Sequence, residues 1–78
     1  MSKKQPKKLL RIGEFAKATG ARISTIKWYS EIGILPFEQA GARLTRRYDK
    51  EKAIRRLKKI RRFQEQGLSV EEIRKWLV

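Results

Sequence analysis

The sequence predicts a small, mostly α domain of about four helices, with a two-stranded hairpin between the second and the third. Three observations carry this expectation: helical apolar spacing in separate stretches, glycines or a capping sequence at their ends, and a glycine-centred segment, FEQAGARLTRRY, too poor in apolar residues for a core helix. A chain of 78 residues makes one domain, near the size at which a core buries only about 60% of the unfolded surface. A large enclosed active site has no room in it.

Residues 1–10 read as a flexible basic arm, with Lys3, Lys4, Lys7 and Lys8 around Pro6 and no apolar period, acting either as a solubilising tail or against nucleic acid. Residues 11–78 then form the domain. From Ile12, IGEFAKATG sets Phe15, Ala16 and Thr19 on one side of a short helix that stops at Gly20. A second helix follows within about three residues, which is the helix-turn-helix joint. In ISTIKWYSEIGIL the period places Ile23, Ile26, Ser30 and, marginally, Tyr29 inward, and Ser24, Lys27, Trp28 and Glu31 outward. Gly33 ends that helix, and Ile34, Leu35 and Pro36 leave it as extended chain. The hairpin follows, its strands joined by a loop near residues 39–43 and carrying Arg43, Arg46 and Arg47. Residues 49–66 are the longest helix, stopped by Gly67, with Ala53, Ile54, Leu57, Ile60 and Phe63 inward and Lys52, Arg55, Lys58, Lys59 and Arg62 opposite. Ser69 and Glu72 make a capping box for a last helix bearing Val70, Ile73, Trp76 and Leu77. Trp76, Leu77 and Val78 either finish the core or begin a surface for a partner.

Charge decides the class of partner. Lys and Arg number 21 against 8 Asp and Glu, a net of +13, and such a field attracts polyanions. Residues 43–62 alone hold eleven positive and two negative side chains, a net of +9, where a merely solvated helix mixes signs. There is no cysteine or histidine, which removes disulfides, thiol chemistry and nearly every plausible zinc site; no cofactor is expected. Glu71 and Glu72 are accounted for by capping and the helix dipole, so no carboxylate pair is left for acid–base work, and an enzyme is not expected. Without a run of about 18 apolar residues or an apolar signal core, the expectation is a cytoplasmic protein with no membrane partner.

A helix-turn-helix sets the N-terminal part of its second helix against base edges in the major groove. Here those residues are Arg22, Ser24, Thr25 and Lys27, with Trp28 one turn below Ser24. Arg and Lys suit guanine acceptors, and hydroxyls suit base or phosphate. Trp28 either lies on sugar or a thymine methyl or packs under the hairpin; Tyr29 is core with its hydroxyl at the surface; Lys27 either reads DNA or, as the i, i+4 partner of Glu31, is simply neutralised by it. Arg43, Arg46 and Arg47 of the hairpin and Arg55, Lys59 and Arg62 of the long helix complete the candidate DNA-binding set.

IGEFAKATG, STIKWYSEIGIL, RRY and GLSVEEIRKWL resemble, in order and spacing, the run IGELAKATGV, TIRYYERIGLL, a wing ending YRxY, and GFSLEEI of the MerR (mercury-resistance regulator) family DNA-binding domain, over about residues 11–77. The resemblance implies a bacterial or phage winged helix-turn-helix, with a second helix pair whose joint forms another wing. It implies DNA contact from the segment in which Thr25 and Tyr29 keep the family's residues, Lys27 replaces an arginine and Trp28 a tyrosine. It also implies that Arg46 reaches phosphate or minor groove while Tyr48 seats the wing. Arg22 stands where the family often has a serine cap, so either Ser24 caps a later start or the helix begins less well capped. The family's Tyr-Glu becomes Tyr29-Ser30 and its wing Gly-Tyr becomes Leu44-Thr45, so base preference does not transfer. Family regulators continue into a dimerising helix and an effector domain, whereas this sequence stops at Val78, as a fragment of a longer regulator or a complete small protein.

The function expected is sequence-specific double-stranded DNA binding as part of a MerR-like transcription regulator, monomeric in this form and pairing on DNA or through a C-terminal extension. The alternative is a small architectural or recombination factor, excisionase-like or a phage or plasmid accessory protein, that bends DNA and recruits a partner. An RNA-binding module fits less well, because a platform of two or three exposed rings is not expected.

Overall fold

Along the chain run β1 (Leu9–Arg11), α1 (Ile12–Thr19), α2 (Ile23–Glu31), β2 (Arg47–Asp49), α3 (Lys50–Glu65) and α4 (Val70–Leu77), in a computed structural model that describes residues 8–41 and 44–77. α1 begins where the Glu14 carboxylate accepts the Arg11 N–H at 2.9 Å. It ends at Gly20, whose φ of +76° lets its N–H turn back to the Ala16 carbonyl at 2.8 Å. Thr19 stitches the joint, donating its hydroxyl to the Phe15 carbonyl at 2.9 Å and accepting the Ala21 N–H at 3.2 Å. α2 can then start at Ile23.

The end of α2 is tighter than the extended exit the sequence suggests. Gly33, at φ +88°, folds the chain back so that the N–H groups of Ile34 and Leu35 both donate to the Tyr29 carbonyl, at 3.1 and 3.3 Å. This drives Ile34 and Leu35 into the core. α2 itself buries Ile26, Tyr29 and Ser30 as its period predicts, but Ile23 is half exposed. Its place in the first turn sets it over a shallow groove between α1 and the wing, with Ile12, Ala16 and Thr45.

The sheet also differs from expectation. β2 pairs antiparallel with β1, Leu10 opposite Tyr48, and among the described residues the two legs of the wing join at a bridge between Glu38 and Arg47 and a hydrogen bond from Gln39 Nε2 to the Leu44 carbonyl at 2.7 Å. Pro36, two residues before that bridge, has no N–H to extend the ladder on that side. Leu9 and Leu10, which the sequence assigns to the basic arm, are strand residues, and the Lys8 carbonyl accepts the Lys50 N–H at 2.9 Å. Residues 1–7 lie outside the described residues, as do Arg43 in the wing and Val78.

Tyr48 is where the elements meet. It is wholly buried, stacks on Phe15 with centroids 5.1 Å apart at 12°, and tilts against Phe37 at 6.4 Å. Ser30 donates its hydroxyl to the Ile26 carbonyl at 2.7 Å, so the Tyr48 hydroxyl, 2.8 Å away, donates to Ser30. Around them lie Phe15, Ile26, Tyr29, Ile34, Leu35, Ala53, Leu57, Ile60 and Ile73. α3 is capped by Asp49, which accepts the Lys52 N–H at 3.2 Å, and turns Ala53, Leu57 and Ile60 inward, with Ile54 and Phe63 partly buried at the edges.

The capping box of α4 forms as the sequence predicts: Ser69 Oγ accepts the Glu72 N–H at 3.2 Å and Glu72 Oε1 accepts the Ser69 N–H at 2.8 Å. Hydrogen bonds from the Ser69 backbone and side chain hold the Glu72 carboxyl below its ordinary range, with Lys75 adding to the effect. A lowered native value means that this contribution to stability is present above the ordinary carboxylate range and is lost as pH falls through the native value. Ser69→Ala should cost about 1 kcal/mol, read as a melting temperature lower by roughly 4–8 °C than that of the parent chain. α4 packs through Val70, Ile73 and Leu77, leaving Trp76 72% exposed. Of the two readings of Trp76, completion of the core does not hold: the short helix meets α3 along one stripe, and the indole lies beyond its edge.

Candidate nucleic-acid interface

α2 offers its outer face to solvent because its inner face is used up by Ile26, Tyr29 and Ser30. Ser24, Lys27, Trp28 and Glu31 are exposed, with Arg22 at the helix start, and Thr25 is half-buried on the flank. Arg22 is in extended conformation and caps nothing with its side chain, so the first turn begins uncapped at Ile23 rather than at a later start capped by Ser24. Its N–H groups are left to solvent or to an incoming acceptor. Trp28 is 48% exposed and leans on Tyr29, centroids 5.7 Å apart, rather than packing under the wing. Tyr29 is buried, and its hydroxyl accepts from Gln64 Nε2 at 3.1 Å, tying α2 to the end of α3. Among the described residues Lys27 and Glu31 form no ion pair, and both side chains are exposed.

The wing brings one cation to a defined place. The Arg46 guanidinium lies 4.9 Å over the Phe37 ring, which is itself held against Tyr48. Such a contact is worth about 0.5–1 kcal/mol at a partly exposed site, enough to bias the side chain toward one orientation before any ligand arrives. Arg47 is fixed through its backbone, exchanging hydrogen bonds with Glu38 at 2.7 and 2.8 Å while pairing with Arg11 on the other side. The Phe37 platform was not singled out from the sequence. Its signal is the register: with Glu38 opposite Arg47, Phe37 falls diagonal to Arg46 on the same face.

Arg55, Lys59 and Arg62 are exposed on α3 together with Lys52 and Lys58. They share a shallow concavity with Pro36. Arg56 is different: half-buried, it donates from Nη1 to the Ile34 carbonyl at 3.1 Å, satisfying the turn that ends α2. Glu51 meets Arg55 at 3.9 Å, with both side chains largely in water, so it neutralises little. Like charges at i, i+3 and i, i+4 cost about 0.2–0.5 kcal/mol per pair, a strain that a polyanion relieves. α2 and α3 bury their inner faces in the same cluster, and Pro36 and the Ile34 carbonyl at the exit of α2 join the basic face of α3 to the base of the wing. The described candidate residues lie on three elements: Arg22, Ser24, Thr25, Lys27 and Trp28 at α2, Arg46 and Arg47 on the wing, and Arg55, Lys59 and Arg62 on α3.

Two helices joined by a tight turn, a small wing beside the second and a basic skin with little counter-charge are the parts of a helix-turn-helix DNA-binding domain. Residues 10–78 match the family of MerR HTH family regulatory proteins, and the chain belongs to that family. This is a class of DNA-binding regulators, not of enzymes. Among similar proteins is the nodulation protein NolA of Bradyrhizobium elkanii, 40% identical over 76 residues, which are 96% of this chain and 34% of that protein. NolA of Bradyrhizobium sp. strain NC92 and of Bradyrhizobium diazoefficiens are each 40% identical over 65 residues, 83% of this chain and 27% of theirs. The chain thus spans about a third of the length of the curated relatives it matches. No solved structure matches it. Among the described residues, no helix is long and apolar enough to cross a membrane.

Proposed function

We propose that the chain binds double-stranded DNA in a sequence-specific way, as the DNA-binding part of a MerR-like transcription regulator acting in the cytoplasm. The observation that carries this reading is the outer face of α2, where Ser24, Lys27 and Trp28 stand exposed and unpaired to other side chains by hydrogen bonds or ion pairs, beside an Arg46 propped on Phe37. In that role the start of α2 enters the major groove. Lys27 donates to guanine acceptors, Ser24 and Thr25 donate to or accept from base or phosphate, and the uncapped first turn and Arg22 meet a phosphate. Trp28 lays its ring on the sugar or a thymine methyl, and Arg43, Arg46 and Arg47 follow the backbone beside the groove. One chain covers one half-site, and two would cover half-sites about 10 base pairs or a multiple apart.

The test is selection of bound sequences from a random duplex pool. An enriched motif is the expected result, and a pool that returns unenriched sinks the reading. Base readers and backbone contacts then separate by variant. Lys27→Ala should change which bases are enriched, at a cost of about 1–3 kcal/mol at the position it reads. Arg46→Ala should weaken all sequences alike and leave the motif as it was.

A further inference from the structure

We propose that Gln64, at the end of α3, is a positioning residue for DNA binding: by donating to the Tyr29 hydroxyl it turns that hydroxyl's own proton outward, toward a backbone phosphate beside α2. This deepens, and rests on, the reading that the outer face of α2 enters the groove. The Tyr29 ring lies in the core, with 5% of the residue exposed, and its hydroxyl reaches the rim of the core against Gln64, which is itself exposed. The Gln64 amide donates from Nε2 to that hydroxyl at 3.1 Å. A phenolic oxygen that has accepted this bond keeps one proton to give. Among the described residues no acceptor takes it. A charged acceptor at the rim is the partner from which such a donor gains most.

Stability alone does not account for the bond. Gln64 is exposed, where water satisfies an amide equally well, and fixing its side chain costs rotamer freedom. What the bond supplies is a direction. A phenol proton lies in the ring plane on either side of the C–O bond, and a donor seated on one side leaves it only the other. The setting is cationic: Arg61, one turn before Gln64, and Arg62 are exposed on α3, and Lys27 is exposed two residues before Tyr29. The Trp28 ring, 48% exposed, lies 5.7 Å from the Tyr29 ring, so the hydroxyl belongs to a side chain that supports one already placed on the DNA face. Gln64 thus acts through Tyr29 and touches no DNA itself.

The test is the affinity of the full chain for a short duplex bearing the selected site, measured across salt, with melting temperatures as the control for folding. Tyr29→Phe keeps the ring and removes the proton. It should lose about tenfold or more, the worth of a hydrogen bond to a charged group, without flattening the salt slope, since a neutral donor releases no counterion. Gln64→Glu puts an acceptor where the donor was and draws the proton inward. It should lose about tenfold or more beyond the loss in Gln66→Glu, which adds the same charge at an exposed position two residues further on. In the Tyr29→Phe background the two glutamate variants should cost the same, because no proton is left to turn. A Tyr29→Phe chain that binds as tightly as the parent overturns the proposal. So does an extra Gln64→Glu penalty that survives in the Tyr29→Phe background, which assigns it to charge or folding. If the parent chain binds no duplex at all, the functional reading falls and takes this proposal with it, whereas binding that ignores these variants overturns only the role of Gln64.

Discussion

Replacing Tyr48 by alanine is expected to unfold the domain near ambient temperature. Truncating a large buried ring costs about 3–5 kcal/mol, and a chain of 78 residues has only roughly 4–12 kcal/mol of stability at 0.05–0.15 kcal/mol per residue. The loss falls on a ring that is completely buried and that touches α1 through Phe15, the wing through Phe37 and α2 through Ser30. Three elements therefore lose their common support at once. Thermal melting by circular dichroism should show the midpoint falling by roughly 15 °C or more. Tyr48→Phe sets the scale for comparison. It removes the donation to Ser30, but Ser30 keeps its bond to the Ile26 carbonyl, so the cost should be about 1 kcal/mol. A Tyr48→Ala protein that melts within a few degrees of the parent would show that the core is organised around something else.

The stacking that makes Tyr48 so costly to lose was not visible before the fold, although its neighbours were. The ends of α1, α2 and α3 could be read because Gly20, Gly33 and Gly67 mark them, and α4 because Ser69 and Glu72 bind each other's backbone. These are signals within a few residues. The outer face of α2 was legible for the same reason, since 3.6-residue spacing alone separates Ile26 and Ser30 from Ser24, Lys27 and Trp28. β1 was not legible, because three residues contain too little alternation to announce a strand, and its partner lies 38 residues further on. Long-range pairing also hid the use of Phe37 as a platform for Arg46. For Trp76, spacing gives an angle on the helix but not whether another element stands opposite. Net charge was fully legible, whereas the partition of the basic residues among α2, the wing and α3 needed the positions of these elements around one core.

The basic surface sets what salt should do. If α2 and the wing neutralise some five to seven phosphates, log affinity for a short duplex should fall against log salt with a slope of roughly −5 to −6. Between 50 and 200 mM the loss is then about a thousandfold, larger than any single base contact can produce. Fluorescence anisotropy of a labelled duplex across that range measures it directly, and an affinity unchanged from low to moderate salt would remove DNA from consideration. The variants sharpen the expectation. Arg46→Ala should flatten the slope by about 0.9, the value of one phosphate, because its guanidinium is held in place on Phe37 before binding. Lys27→Ala should leave the slope nearly as it was if its ammonium reads a base, and flatten it if the ammonium sits on phosphate. The slope thus counts phosphate contacts one cation at a time, and about five to seven of them engage only a part of the 21 Lys and Arg of the chain.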